Sequence, residues 1–177
     1  KACQTCPDLN SVKMAGTIMT IGNYAFQGCD NLHSLELSES LVKIGDGTFE
    51  GTGISSIIIP KTVTTIGKGI IVGCDNLASV RVESGNSVYN SWNNCNAILR
   101  NNTLIAGCKT TKIPDGIEII EEDAFNSCIG LKSIDLPNTI IEIRDRAFYG
   151  CEELATTHLS DNLTTIGNSA FENTGII

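Results

Sequence analysis

The chain repeats itself, and the period leaves few folds open. The last apolar residue of a short β-rich segment falls at Met14, Leu37, Ile59, Val82, Ile113, Leu136 and Leu159, in steps of 23, 22, 23, 31, 23 and 23 residues. Five residues earlier stand Leu9, Leu32, Ile54, Leu77, Cys108, Leu131 and Leu154, and seven residues later Ile21, Ile44, Ile66, Tyr89, Ile120, Ile143 and Ile166. Twelve residues after an anchor come Phe26, Phe49, Ile71, Phe125, Phe148 and Phe171, a column holding all five phenylalanines of the chain. A coil of this length cannot bury its own apolar face, so like residues must stack coil on coil into a prism-shaped core.

Each column has a physical reading. The segment from Leu131 to Leu136 alternates inward and outward and is β-rich, which predicts a short strand paired in parallel with its equivalents. Pro60, Pro114 and Pro137 directly follow an anchor, where a missing N–H ends a strand cheaply. The stretch after the isoleucine column, such as GNYAFQG or RDRAFYG, is too short for a regular helix and reads as a helical or 3₁₀ turn plugged by Phe. Gly22, Gly45, Gly67 and Gly167 follow the isoleucine, but Glu121 and Arg144 take the same place in two coils, so that site does not demand positive φ.

The motif Ile-Gly-x-x-Ala-Phe-x-Gly-Cys-x-x-Leu-x-Ser-Ile-x-Leu-Pro resembles the BspA-like, or Treponema pallidum-type, leucine-rich repeats of bacterial surface proteins. The resemblance covers the chain from Cys6 to Ile177, and the segment from Ser84 to Gly116 looks like an insertion coil of Bacteroides-type members. Thr52 and Thr174 stand where the motif has Cys, and Ile70-Ile71 where it has Ala-Phe. The resemblance implies an exported, cell-surface or secreted adhesion or interaction protein with a protein or glycoprotein partner, such as host matrix or cell surface. The expected fold is a leucine-rich-repeat solenoid, a horseshoe-like β-rich arc of about seven coils forming one domain over 1–177. It carries an extended coil or hairpin insertion at about 83–112 and ends inside a repeat.

Composition removes other classes. A net charge of −8 and a pI near 4.7 oppose nucleic-acid and anionic-membrane surfaces, which need clustered Lys and Arg. No apolar run reaches the roughly 18 residues of a membrane helix. His33 and His158 lie five coils apart, about 24 Å at about 4.8 Å per coil, too far to share a metal. With no phosphate loop, His-Glu-x-x-His or Gly-x-Ser-x-Gly, neither catalysis nor a cofactor is expected.

Six of the eight cysteines fall in repeat columns, and Cys3 near the N-terminus is left unassigned. Cys6, Cys29, Cys74, Cys128 and Cys151 share one position and Cys108 sits among the leucines, where each reads as a small buried hydrophobe. A hairpin turning on Asn101-Asn102 would set Cys95 opposite Cys108, so a disulfide between them is the alternative for that pair. The same hairpin, with Ala97, Ile98 and Leu99 facing Leu104, Ile105 and Ala106, is expected to project from the array. Trp92 beside it reads either as an aromatic plug filling the wider coil or as an exposed anchor for a partner.

Binding is expected on the concave strand face. Its central outward column is Lys13, Glu36, Ile58, Arg81, Lys112, Asp135 and His158, flanked by a Ser/Thr ladder that suits packing along stacked strands. Ordinary solvation explains the same mixed charges, and a spacer that projects another domain is the alternative function.

Overall fold

A computed structural model describes residues 3–176, and it is a β-solenoid with three sides. The strand side carries β1 (Ser11–Lys13), β3 (Ser34–Glu36), β5 (Ser56–Ile59), β7 (Ser79–Val82), β11 (Ser133–Asp135) and β13 (Thr156–His158). A second side carries β2 (Thr20–Ile21), β4 (Lys43–Ile44), β6 (Thr65–Ile66), β10 (Ile119–Ile120), β12 (Glu142–Ile143) and β14 (Thr165–Ile166). The remaining strands, β8 (Ala97–Arg100) and β9 (Thr103–Gly107), belong to the long coil. Parallel pairing follows the repeat, with Ser11 opposite Ser34, Ile21 opposite Ile44 and Ile143 opposite Ile166.

The third side departs from the expected helical or 3₁₀ turn. It is built from tight turns with two left-handed residues per coil, one at Tyr24, Gly47, Gly69, Asp123, Arg146 and Ser169, the other at Gly28, Gly51, Gly73, Ser127, Gly150 and Asn173. These turns form a ladder of their own, in which Tyr24, Phe26 and Gly28 donate N–H groups to Asp46, Thr48 and Glu50 of the next coil. Those bonds offset the cost of a left-handed backbone at residues other than glycine. Among the described residues the one 3₁₀ segment is Trp92–Asn94, in the long coil.

Inside the prism the columns stack as the spacing requires. Phe26 lies parallel to Phe49 with centroids 5.9 Å apart, and Phe125, Phe148 and Phe171 stack at 5.0 and 5.1 Å. Ile71 interrupts the column between the two stacks. The cysteine column also satisfies main-chain carbonyls: Cys74 Sγ donates to Phe49 O and Cys151 Sγ to Phe125 O, both at 3.0 Å. Thr52 and Thr174, in the same column, instead satisfy the Phe carbonyl of their own coil, donating to Phe49 O and Phe171 O at 2.9 and 2.8 Å. No buried side-chain nitrogen or oxygen among the described residues lacks a partner.

No disulfide joins any of the eight cysteines in the structure. Burial raises the Cys74 and Cys151 thiols to about 11, against an ordinary 9.0. Native protein near pH 8 is therefore expected to leave Cys74 and Cys151 unmodified by a thiolate-directed reagent. After denaturation without reductant the same labelling, read by mass, should find eight thiols. A count of six would place a disulfide in the chain.

The long coil corrects one expectation. β8 and β9 do form a hairpin about Asn101-Asn102, but it does not project. Ala97, Ile98, Leu99, Leu104 and Ala106 are all buried. β9 takes a normal place beside β10, with Thr103 opposite Ile119, while β8 runs antiparallel between β9 and Asn90. Tyr89 fills the isoleucine column, and its hydroxyl accepts the Ile66 N–H at 3.0 Å. A bulge at Ile98/Leu99 shifts the hairpin register, so Ala97 faces Gly107. The simple opposition of Cys95 and Cys108 is thereby lost, and their thiols approach the separate carbonyls of Ala97 and Asn96.

The long coil also has no turn on the third side. Leu104 and Cys108, four residues apart, occupy columns that Ile143 and Leu154 hold eleven apart. The flanking turns therefore close on one another, with Gly73 N–H donating to Asn126 O and Lys68 reaching Glu122 at 2.6 Å. Three chain stretches lie between β6 and β10 on the second side and none between these turns on the third. The array is splayed on one face and pinched on the other, a wedge of several strand spacings of about 4.8 Å.

Candidate binding surface

Local sequence positions the strand-face column. Each strand is three or four residues long, its middle or flanking residue faces the core, and its partners in the column point out. Lys13, Glu36, Ile58, Arg81, Lys112, Asp135 and His158 are all exposed. Register brings them together in pairs: Lys13 beside Glu36, Ile58 beside Arg81, Asp135 beside His158. Lys13 and Glu36 form an ion pair at 2.6 Å, and the exposed pair raises the lysine pKa through its hydrogen bond to Glu36. Lys112 stands apart, because residues 109–110 form a turn, closed by Thr111 N–H to Cys108 O at 3.0 Å, and residues 111–113 form no strand.

The strand ladder is interrupted twice, giving separate β1–β3, β5–β7 and β11–β13 sheets. The first break falls at coil three, which is one residue short. The second falls at residues 109–113 and opens a groove of about 460 Å³ lined by that segment and by Ser133, Ile134 and Asp135. No repeat column or motif signals this groove directly. Its one trace is the four-residue step from Leu104 to Cys108, too short to let the following segment extend as a strand.

Trp92 is 38% exposed and lies over Gly116, so Tyr89 rather than Trp92 plugs the wide coil. His33 Nδ1 is 3.0 Å from Gly53 O, while His158 lies in β13. Among the described residues no group of three or more His, Cys, Asp or Glu is placed to hold a metal ion. Among the described residues no helix is long and apolar enough to cross a membrane.

The charged groups concentrate on the pinched side. Arg144 Nη1 donates to both Glu121 oxygens at 2.8 Å, and Arg146 bridges Glu122 and Asp123. Burial alone would raise the Glu121 pKa, but hydrogen bonds from Arg144 and from the Glu122 amide outweigh it and hold the carboxylate below its ordinary range. These acids are paired within the array by Arg144, Arg146 and Lys68.

A model of the BspA type leucine rich repeat region matches six copies over residues 1–106 and 102–177. A search of the curated proteins finds no match. Among solved structures, a leucine rich cell surface protein from Faecalibacterium prausnitzii is 26% identical with a TM-score of 0.84, and covers 97% of this chain and 47% of its own. The pneumococcal vaccine antigen PcpA is 24% identical with a TM-score of 0.85, covering 96% and 44%. A T. pallidum leucine rich repeat protein is 24% identical with a TM-score of 0.52, covering 92% and 62%. The last two establish likeness of fold alone. The chain spans about half the length of the first two structures.

Proposed function

The chain belongs to the BspA-type leucine-rich repeat family, and on that premise we propose that it is a cell-surface or secreted bacterial module that binds a protein or glycoprotein partner through its strand face. The observation that carries this reading is the exposed column itself. Seven side chains of differing charge and size sit on a frame whose inward positions are packed and fixed. Such a frame holds its outward residues in place before a partner arrives, which reduces the ordering cost of binding. The similar F. prausnitzii structure is described as a cell surface protein, which supports the same placement. Adhesion to host matrix or host cell surface is the role we assign, with no catalytic step.

The test is a binding screen against immobilised host-matrix and cell-surface glycoproteins, repeated with Arg81→Glu plus Lys112→Glu. Both residues are exposed, so the fold should survive. Charge reversal on the contact surface is expected to weaken capture about tenfold or more. Unchanged capture would move binding to another surface of the array, and no capture by the unsubstituted chain would leave the spacer reading in its place.

A further inference from the structure

We propose that the groove at the second break of the strand ladder is a docking slot for an extended acidic peptide segment of the partner, held by strand pairing against β11. The inference rests on the strand-face reading above and assigns it a site and a ligand class.

The main chain supplies the first observation. In a parallel strand, alternate residues direct their N–H and C=O to opposite edges. Lys132 O accepts from Ala155 N–H and Ile134 O from Thr157 Oγ1, so these residues face β13. Ser133 and Asp135 therefore face residues 109–113. The equivalent residue of β3, Ser34, donates to Asn10 O, and Met14 donates to Glu36 O. For Ser133 and Asp135 no such bond to residues 109–113 is formed among the described residues, because that segment turns away: Lys112 N–H donates to Cys95 O and Thr111 Oγ1 to Asn96 O. β11 is thus a free strand edge lining a groove of about 460 Å³.

Charge supplies the second. In a chain of net charge −8 the groove is lined by Lys109 and Lys112 against the single acid Asp135. Lys109 Nζ is engaged on Asp75 O at 2.7 Å, outside the groove lining, so Lys112 is the cation the groove offers. Lys112 and Asp135 occupy the same column on adjacent coils, as Lys13 and Glu36 do, yet only the latter are ion-paired among the described residues. Lys112 is left available to an incoming carboxylate. Behind the free edge lie buried Thr111 and Ile134 and half-buried Ile113, an apolar backing that suits small apolar side chains on alternate residues. An extended segment alternating apolar and acidic residues satisfies edge, floor and walls together.

The probe is a short synthetic peptide of alternating Val and Glu, with an alternating Val and Lys peptide as the charge control. Amide exchange at Ser133 and Asp135 is followed by NMR on the full chain. The Val/Glu peptide should slow exchange at both amides about tenfold or more at saturation. The Val/Lys peptide should leave them unchanged. Of two Val/Glu peptides N-methylated on alternate residues, one should bind about tenfold weaker, since it loses the donors of the edge that meets β11. Lys112→Gln should weaken the parent peptide, and Thr110→Trp, which fills the slot from its exposed rim, should do the same. No binding, binding without slowed exchange at the two amides, or equal binding of all methylated peptides would overturn the slot. Capture of a glycoprotein lost on Arg81→Glu but kept in Thr110→Trp would retain the strand face and reject the slot.

Discussion

Phe148→Ala is expected to lower the stability of the chain by about 3–5 kcal/mol, the largest loss of any single aromatic truncation here. Phe148 is fully buried and is the middle ring of the Phe125–Phe148–Phe171 stack, with centroids at 5.0 and 5.1 Å. Removing it opens a void with an aromatic ring on each side, so both coil-to-coil contacts fail at once. In a solenoid those nearest-neighbour contacts are most of what holds a coil in place. Phe26→Ala should cost less, since Phe26 stacks on one side only, at 5.9 Å, and keeps 8% exposure. Urea unfolding followed by circular dichroism measures both. A loss below about 1.5 kcal/mol for Phe148→Ala would show that the neighbouring coils collapse into the space, as the natural Ile71 in this column demonstrates they can be built to do.

How much of this was legible in the sequence depends on whether a feature repeats. The stack of Phe148 was readable because its column recurs, and so were the parallel registers Ser11–Ser34 and Ser133–Thr156, which follow directly from a 23-residue step. The turn side was misread because its left-handed positions hold Tyr24, Asp123, Arg146 and Ser169 as well as glycines. Side-chain identity carries little signal there when the conformation is imposed by bonds to the next coil. The glycines Gly28, Gly51, Gly73 and Gly150 were the available clue, four in one column with positive φ.

The long coil was the harder case. Its apolar residues read as two facing strands, which is correct, but alternation alone does not say whether such a hairpin stands out or is swallowed. The answer lies in what each face meets. Ile98 and Ala106 pack into the N-terminal core, whereas Ala97, Leu99 and Leu104 pack into the C-terminal one. Both faces of the hairpin are apolar because it is a wall between two cores. The exposed column, by contrast, was placed residue by residue from spacing, while the slot beside Lys112 was invisible, since it arises from a strand that fails to form.

That wall makes Gly107→Val the second large effect expected. A Cβ at Gly107 would lie 2.3 and 2.5 Å from Cε1 and Cζ of Phe125 and 2.9 Å from Thr111 Oγ1. The Phe125 ring has no room to withdraw, being 1% exposed and stacked on Phe148. Thr111 is equally held, because its hydroxyl accepts the Cys108 N–H at 2.8 Å and donates to Asn96 O at 2.6 Å. Relief must come from moving β9 away from β10, which strains the Gly107 N–H bond to Ala124 O and the seam between the two cores. The expected cost is about 3 kcal/mol. Because the strain falls on the shared wall, the urea transition should also broaden or split as the two cores unfold separately. Gly16→Val is the control: nothing lies within 4 Å of its Cβ, and it should change stability by less than about 0.5 kcal/mol. A single sharp transition at the unsubstituted midpoint for Gly107→Val would mean that the hairpin is not the element through which the two halves are coupled.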